Sequence, residues 1–123
     1  MSKLIELHDN EYDALKSLEN ASAFTVEGAG GNLDDWMRGL NKLLAENEIG
    51  QVDTFYTFSG KLMNNMYGLT GKNRYPDNFT FLCFKLDGLD VGKLAIFKLS
   101  FGARWLDDIV DNNLAREQRW LAN

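Results

Sequence analysis

The segment from Asn78 to Trp105 constrains the fold of this 123-residue chain most strongly, because its apolar residues follow a strand pattern that leaves no polar face. In a β-strand alternate side chains point to opposite faces. Here Phe79, Phe81 and Cys83 share one face, and the other face carries Leu82, Phe84 and Leu86. A strand that is apolar on both faces needs cover on both sides, so this one is predicted to lie inside a sheet.

A second apolar run, 94–101, is predicted to form the partner strand of a hairpin, with Ala95, Phe97, Leu99 and Phe101 on one face. Asp87-Gly88 and Asp90-Val91-Gly92 supply turn residues between the two runs, since Gly and Asp tolerate the positive φ values of tight turns. A final helix from about 103 to 121 follows. Its predicted inner stripe consists of Leu106, Ile109, Val110, Leu114 and Leu121.

Periodicity and capping residues predict the remaining elements. They are an edge strand or lead-in at 3–7, a helix over 11–19, a strand over 23–27, a helix over 33–46 capped by Asn32, a strand over 54–58, and a short helix over 61–67 that Ser59 caps and Gly68 ends. A strand over 62–67 is the alternative for the last of these. The fold class is α+β. We expect one domain over 1–123, with an antiparallel or mixed sheet of about four strands and helices 33–46 and 104–121 packed chiefly on one face.

Composition narrows the class of protein. A chain of 123 residues with eight Phe, four Tyr and three Trp can bury a core without cross-links. Its single Cys excludes a disulfide within the chain and fits a reducing compartment. No run approaches the roughly 18 apolar residues of a membrane helix, and the N-terminal sequence lacks a signal-peptide profile. The expected location is the cytoplasm, with no membrane partner.

Charge is unevenly distributed along the chain. Residues 1–53 hold 11 acidic and 4 basic side chains, whereas residues 54–123 hold 7 and 9. The acidic half forms either solvated helix faces or an acidic surface, including Asp34 and Asp35, that attracts a basic partner. Nucleic-acid binding is disfavoured because it requires a dense patch of Lys and Arg.

One acidic motif and one glycine-rich motif have the residue types of a ligand site. Asp107, Asp108 and Asp111 form a D-D-x-x-D run in which the first and last carboxylates are neighbours on a helix, and these three are candidate ligand-binding residues. The glycines at 28–31 precede a helix but match neither phosphate-binding spacing. We predict no metal and no cofactor.

Enzymatic chemistry has few candidate residues in this sequence. His8 is the only imidazole and Cys83 the only thiol, so nucleophilic catalysis would require those two to meet. We predict no catalytic residue. The alternative is an acid–base enzyme using Asp53, Tyr56, Tyr67 and Arg104, which requires a buried carboxylate.

The two ends of the predicted hairpin are the favoured binding region. Lys72, Arg74 and Tyr75 lie in the long polar connection before it, and Arg104 and Trp105 follow it. Loops commonly carry binding residues, and Tyr and Arg are enriched at protein interfaces. A further alternative is a small-molecule site formed by the aromatic side chains Trp36, Tyr56, Phe58, Tyr67, Tyr75 and Trp105.

A protein partner is the favoured function class. The segment GGNLDDWMRGL resembles the helix-start segment of the barstar family of acidic ribonuclease inhibitors over about ten residues. That resemblance implies an inhibitor role as one form of protein binding. One sheet face, with Phe79, Phe81, Leu94 and Ile96, has no obvious helix to cover it, and this motivates a protein partner or a homodimer. The expected function is therefore a small acidic, non-enzymatic interaction, regulatory or inhibitor protein.

Overall fold

The computed structural model describes residues 2–21, 23–27, 31–97, 103–106 and 108–111. These residues form five strands, four helices and one 3₁₀ turn at Gly71–Asn73. In chain order the strands and helices are β1 (Lys3–Glu6), α1 (Tyr12–Asn20), β2 (Phe24–Glu27), α2 (Leu33–Glu46), β3 (Thr54–Ser59), α3 (Gly60–Tyr67), β4 (Thr80–Phe84), α4 (Val91–Phe97) and β5 (Ala103–Trp105). Residues 106 and 108–111 are helical and constitute the C-terminal helical segment.

The strands form one mixed sheet in the order β1-β3-β4-β2-β5. β1 runs parallel to β3, and the other three pairs are antiparallel. The α+β class and the mixed sheet are confirmed. β4 lies between β3 and β2, as its two apolar faces predicted.

Helices cover both faces of this sheet. Alternate side chains of the strands point to opposite faces and pack into two separate apolar cores. The first core joins Leu82 and Phe84 of β4 to α2 and α4; its buried members are Phe24, Val26, Met37, Leu40, Leu44, Ile49, Val52, Phe55, Leu82, Phe84 and Leu94. The second core joins Phe81 and Cys83 to α1, α3 and the C-terminal helical segment; its buried members are Leu7, Leu15, Leu18, Ala23, Phe58, Leu62, Met63, Phe81, Cys83, Leu106, Ile109 and Val110.

This arrangement corrects two expectations about the sheet faces. The sheet face with Phe81 is covered by helices and Phe81 is fully buried, so the uncovered face that motivated a homodimer is not found in the described part of the chain. Leu94 and Ile96, expected on that face, lie on helix α4, where Leu94 is buried in the first core and Ile96 is 74 % exposed. The helices predicted over 33–46 and 104–121 also contribute to different cores, one on each face. The physical reason is that α1 and α3, both short, bring enough apolar surface to form a second layer with the C-terminal helical segment.

The predicted hairpin is wrong in its second strand. β4 forms as expected, but Val91–Phe97 is helix α4, and residues 98–102 lie outside the described residues. Asp90 caps this helix: its carboxylate accepts a hydrogen bond from Lys93 N at 3.1 Å, and its carbonyl accepts one from Leu94 N at 3.0 Å. The strand that follows, β5, pairs with β2 instead of β4. Helix was predicted there, whereas the described helix begins only at Leu106.

Other elements lie close to their predicted bounds. Asn32 caps α2 through a hydrogen bond from Asp35 N to its side-chain oxygen, and Ser59 caps α3 by accepting from Leu62 N. Gly68 ends α3 in the left-handed conformation, with φ 63° and ψ 33°, so 61–67 is helix and not the alternative strand. None of the helices described is long and apolar enough to span a membrane.

Candidate functional site

Strand β1 has one paired edge and one free edge among the described residues. Lys3 N donates to Asp53 O at 2.7 Å and Leu7 N donates to Thr57 O at 2.8 Å. The backbone N–H and C=O groups of the odd-numbered residues in this strand therefore point toward β3. The peptide groups of Leu4 and Glu6 therefore point away from the sheet. All four residues of β1 are exposed, with Leu4 at 38 % and Ile5 at 41 %. An exposed edge strand of this kind is a template on which another strand can pair.

Two pockets lie on the sheet face that α2 packs against, one between α2 and Ser2, which precedes β1, and one beside Leu4 and Glu6 of β1. The Asn41 pocket, of about 600 Å³, includes Ser2, Asp34, Arg38, Asn41, Lys42 and Asp53. The His8 pocket, of about 450 Å³, includes Leu4, Glu6, His8, Asp9, Leu33 and Ser59. Residues 2, 4, 6 and 8 alternate along the strand direction and so share a face. The two pockets together line that face, and we call them the β1–α2 groove.

Asn41 fixes one end of the groove. Its side-chain oxygen accepts a hydrogen bond from Val52 N at 2.7 Å, and its side-chain nitrogen lies 3.1 Å from Val52 O and 2.9 Å from Ser2 Oγ. Ser2 Oγ in turn donates to Val52 O at 2.9 Å. The amide thus pairs with Val52 as a neighbouring strand would, and it holds α2 to the start of β3.

The carboxylate of Asp9 organises the other end. It accepts a hydrogen bond from Ser59 Oγ at 2.9 Å and lies 3.8 Å from Lys61 Nζ. His8 N donates to Glu11 Oε1 at 3.1 Å, while the His8 side chain is 75 % exposed. The same hydroxyl of Ser59 accepts from Leu62 N, so Asp9, β3 and α3 are joined at one point.

The groove carries more uncompensated negative than positive charge. Glu6, Asp34 and Asp53 form no ion pair with any described residue, whereas Lys42 is the matching unpaired cation. Arg38 is already paired with Asp35. Because unpaired exposed carboxylates attract cations, the groove favours a positively charged ligand.

The polar connection before β4 is held firmly against α3. Arg74 pairs with Asp77 at 2.7 Å on the surface. The buried Asn64 side chain accepts from Tyr75 N at 2.8 Å and donates to Tyr75 O at 2.7 Å. The ring of Tyr75 packs edge-on against Phe81, and its hydroxyl donates to Glu27 at 3.3 Å. Tyr75 therefore anchors this connection, and the role of Lys72, Arg74 and Tyr75 in binding stays a prediction.

The predicted site residues after α4 are only partly described. Arg104 and Trp105 lie in β5 opposite Thr25 and Phe24, and their side chains fall outside the described residues, as does Asp107. Asp108 and Asp111 are exposed in the C-terminal helical segment. Within the described ranges, no three His, Cys, Asp or Glu side chains are grouped to hold a metal ion.

Two titratable side chains are perturbed by their surroundings. Burial raises the pKa of Tyr67, and its hydrogen bond to Glu19 and the negative charges of Glu19 and Asp111 raise it further. Burial also raises the pKa of Cys83 to about 12, and its sulfur accepts a hydrogen bond from Thr25 at 3.4 Å. Both side chains are thus neutral at physiological pH, which suits structural roles.

The proposed catalytic and aromatic sets are dispersed or packed into the core. Asp53 and Tyr56 line one pocket of about 280 Å³ with Lys85, but Tyr67 lies in α3. Among the described residues no Asp or Glu is buried. Four of the six aromatic residues suggested for a ligand site, Tyr56, Phe58, Tyr67 and Tyr75, belong to the second core, whereas Trp36 is 38 % exposed on α2.

The groove was missed at the sequence level. The segment 3–7 was interpreted as an edge strand or lead-in, and a parallel pair such as β1–β3 leaves no local signal because its partners are 51 residues apart. Asn41, half-buried beside the apolar stripe of Met37, Leu40 and Leu44 on α2, is the residue that could have indicated it. Comparisons with protein-family models, with curated proteins and with solved structures find no match for this chain.

Proposed function

We propose that this chain is a non-enzymatic protein-binding protein that engages another protein through its acidic N-terminal half. The observation that carries the proposal is strand β1, which is exposed along its whole length and leaves one edge free among the described residues. Main-chain pairing at such an edge gives affinity without requiring a deep pocket. A regulatory or inhibitory role is one form of this function.

Two features support protein binding over acid–base catalysis. Leu4 and Ile5 expose apolar surface on opposite faces of β1, where a partner could bury it. An acid–base enzyme needs a carboxylate whose pKa is raised by burial, and every Asp and Glu in the described part of the chain is at least partly solvated.

Co-purification with a C-terminally tagged chain tests this function. The wild-type chain is expected to retain a protein partner that Leu4→Pro loses, because proline removes an N–H from the free edge while leaving the pairing with β3 intact. Leu43→Ser is the matched control, since Leu43 is 39 % exposed on α2 but does not belong to the groove.

The proposal fails if no protein is retained above the level of an unrelated acidic protein, or if Leu4→Pro and wild type retain the same partner equally. Circular dichroism of both variants would verify that they remain folded. Light scattering would separately identify a second copy of this chain as the partner.

A further inference from the structure

We infer that the β1–α2 groove binds an extended segment of another protein in which basic and apolar residues alternate, and that this segment adds to the sheet beside β1. The inference rests on the proposed function and specifies the chemistry of the partner. An edge strand flanked by a helix offers both main-chain hydrogen bonds and side-chain pockets, the two requirements for recognition by strand addition.

The main-chain contribution comes from the outward peptide groups of β1. Lys3 and Leu7 use their N–H groups on β3, so Leu4 and Glu6 present two N–H and two C=O groups to a neighbour. Leu4 and Glu6 also line the His8 pocket with their side chains. A bound strand would therefore lie directly at the mouth of the groove.

The side-chain preference follows from the charges on the groove face. Glu6, Asp34 and Asp53 are unpaired among the described residues, whereas Asp9 is already bonded to Ser59 and adjacent to Lys61. Every second side chain of an added strand points to this face. Basic side chains at those positions would neutralise the carboxylates, and the intervening side chains would meet the exposed surface of Ile5 on the other face.

A second copy of the chain fits the groove poorly. Pairing two β1 strands would bring the Glu6 side chains of both copies into one interface, and each copy carries a net charge of −5. Like charges brought together across an interface oppose association. The charge distribution therefore favours a basic strand as the occupant.

The test uses a synthetic eight-residue peptide of alternating Lys and Val with blocked ends, titrated into the ¹⁵N-labelled full-length chain. Amide shifts are expected in β1 and along the groove side of α2. Two further peptides carry N-methyl groups on all Lys or on all Val residues. In a strand, alternate N–H groups point to opposite edges, so one methylated peptide should bind like the parent and the other should bind at least about tenfold more weakly.

Protein variants separate charge from strand pairing. Glu6→Gln combined with Asp53→Asn should weaken binding and flatten its dependence on NaCl concentration. Asp13→Asn combined with Asp87→Asn is the matched control, because it removes the same number of exposed charges outside the groove, and it should change neither. Leu4→Pro should weaken binding of the parent peptide through loss of an edge N–H.

Equal affinity for the two methylated peptides would reduce the interaction to non-specific attraction and overturn the inference. It would also fall if the parent peptide does not bind, if the shifts lie outside β1 and α2, or if light scattering shows a dimer that Leu4→Pro dissociates. A partner that co-purifies in a Leu4-dependent manner without peptide binding would leave the proposed function standing and refute only the basic-strand specificity.

Discussion

Gly60, the first residue of α3, touches the backbone of the connection that follows this helix. Gly60 N donates to Phe79 O at 2.7 Å, and a Cβ atom on Gly60 would overlap the carbonyl oxygen of Pro76 and lie 2.8 Å from the Cβ of Tyr75. The Pro76 carbonyl is backbone and cannot rotate away. Gly60→Ala is therefore expected to lower the free energy of unfolding by about 1–3 kcal/mol, measured by urea denaturation.

Gly39→Ala is the control for that substitution, because Gly39 lies within α2 and a Cβ there meets no atom within 4 Å. Alanine is a better helix former than glycine, so the free energy of unfolding of this variant should rise by up to about 1 kcal/mol. If Gly60→Ala were as stable as Gly39→Ala, the close approach of α3 to the 75–79 segment would be incorrect.

At the residue scale, Tyr67 of α3 interacts with two other helical segments. Its hydroxyl donates a hydrogen bond to Glu19 of α1, and the negative charge of Asp111 in the C-terminal helical segment acts on it. Its pKa is raised above the ordinary value of 10.0. The folded state therefore favours the neutral phenol. The stabilisation is fully present below pH 10 and is lost as the pH rises toward the folded-state pKa.

Tyr67→Phe is expected to lower the free energy of unfolding by about 1 kcal/mol at pH 7, because the hydrogen bond to Glu19 is missing. The difference between wild type and variant should shrink above pH 10, because only the wild type loses the contribution of the phenol there. Urea denaturation at pH 7, 9 and 10.5 measures it. A difference that grows with pH would contradict the direction of the pKa shift.

At the scale of elements, local capping decided what the apolar run after Gly88 becomes. Residues 94–97 are apolar in both alternating registers, so periodicity alone does not distinguish a buried strand from a short helix. The Asp90 cap, together with the hydrogen bond from Asp90 N to Ile49 O at 2.8 Å, starts a helix at that point. Asp90 was predicted to lie in a turn, and its capping role becomes evident only from the structure.

Removing the cap tests this explanation. Asp90→Ala should reduce the free energy of unfolding by about 1 kcal/mol and speed amide exchange at Leu94. Asp87→Ala removes the same charge from an exposed position outside the helix and should have little effect on either quantity. Identical behaviour of the two variants would show that α4 does not depend on this cap.

Elements with local signals were predictable, and long-range arrangements were not. Helix α2 has both a cap at Asn32 and an apolar stripe, and it was predicted to the residue. The parallel β1–β3 pair and the β2–β5 pair join segments that are distant in sequence, so no local pattern specifies them. The candidate groove depends on the first of these pairs, and for that reason only the possible edge strand at 3–7 and the acidic character at Asp34 were anticipated.

At the scale of the whole molecule, the two cores share a single sheet, and its central strand β4 contributes to both. Cys83 lies in that strand with no exposed surface, and its pKa is raised to about 12. A thiol reagent can reach it only when the sheet opens. The rate at which a reagent labels Cys83 is therefore expected to follow global unfolding.

Labelling of Cys83 at pH 8 should be slow in the native protein and should accelerate with urea in step with the unfolding transition. As a control, Ser17→Cys in a Cys83→Ser background places a thiol on the exposed side of α1, where it should react rapidly without urea. Rapid labelling of Cys83 in the native state would show that β4 opens without loss of the remaining structure.

The junction between β3 and α3 limits where residues can be inserted into or deleted from this chain. Ser59 is both the last residue of the strand and the cap of the helix, so no linker separates the two elements. The side-chain direction therefore changes at this residue from the two-residue period of a strand to the 3.6-residue period of a helix. Inserting or deleting one residue there would turn Leu62 and Met63 by about 100° out of the second core. Homologous chains should therefore tolerate length variation in the 69–78 connection far more readily than at Ser59-Gly60.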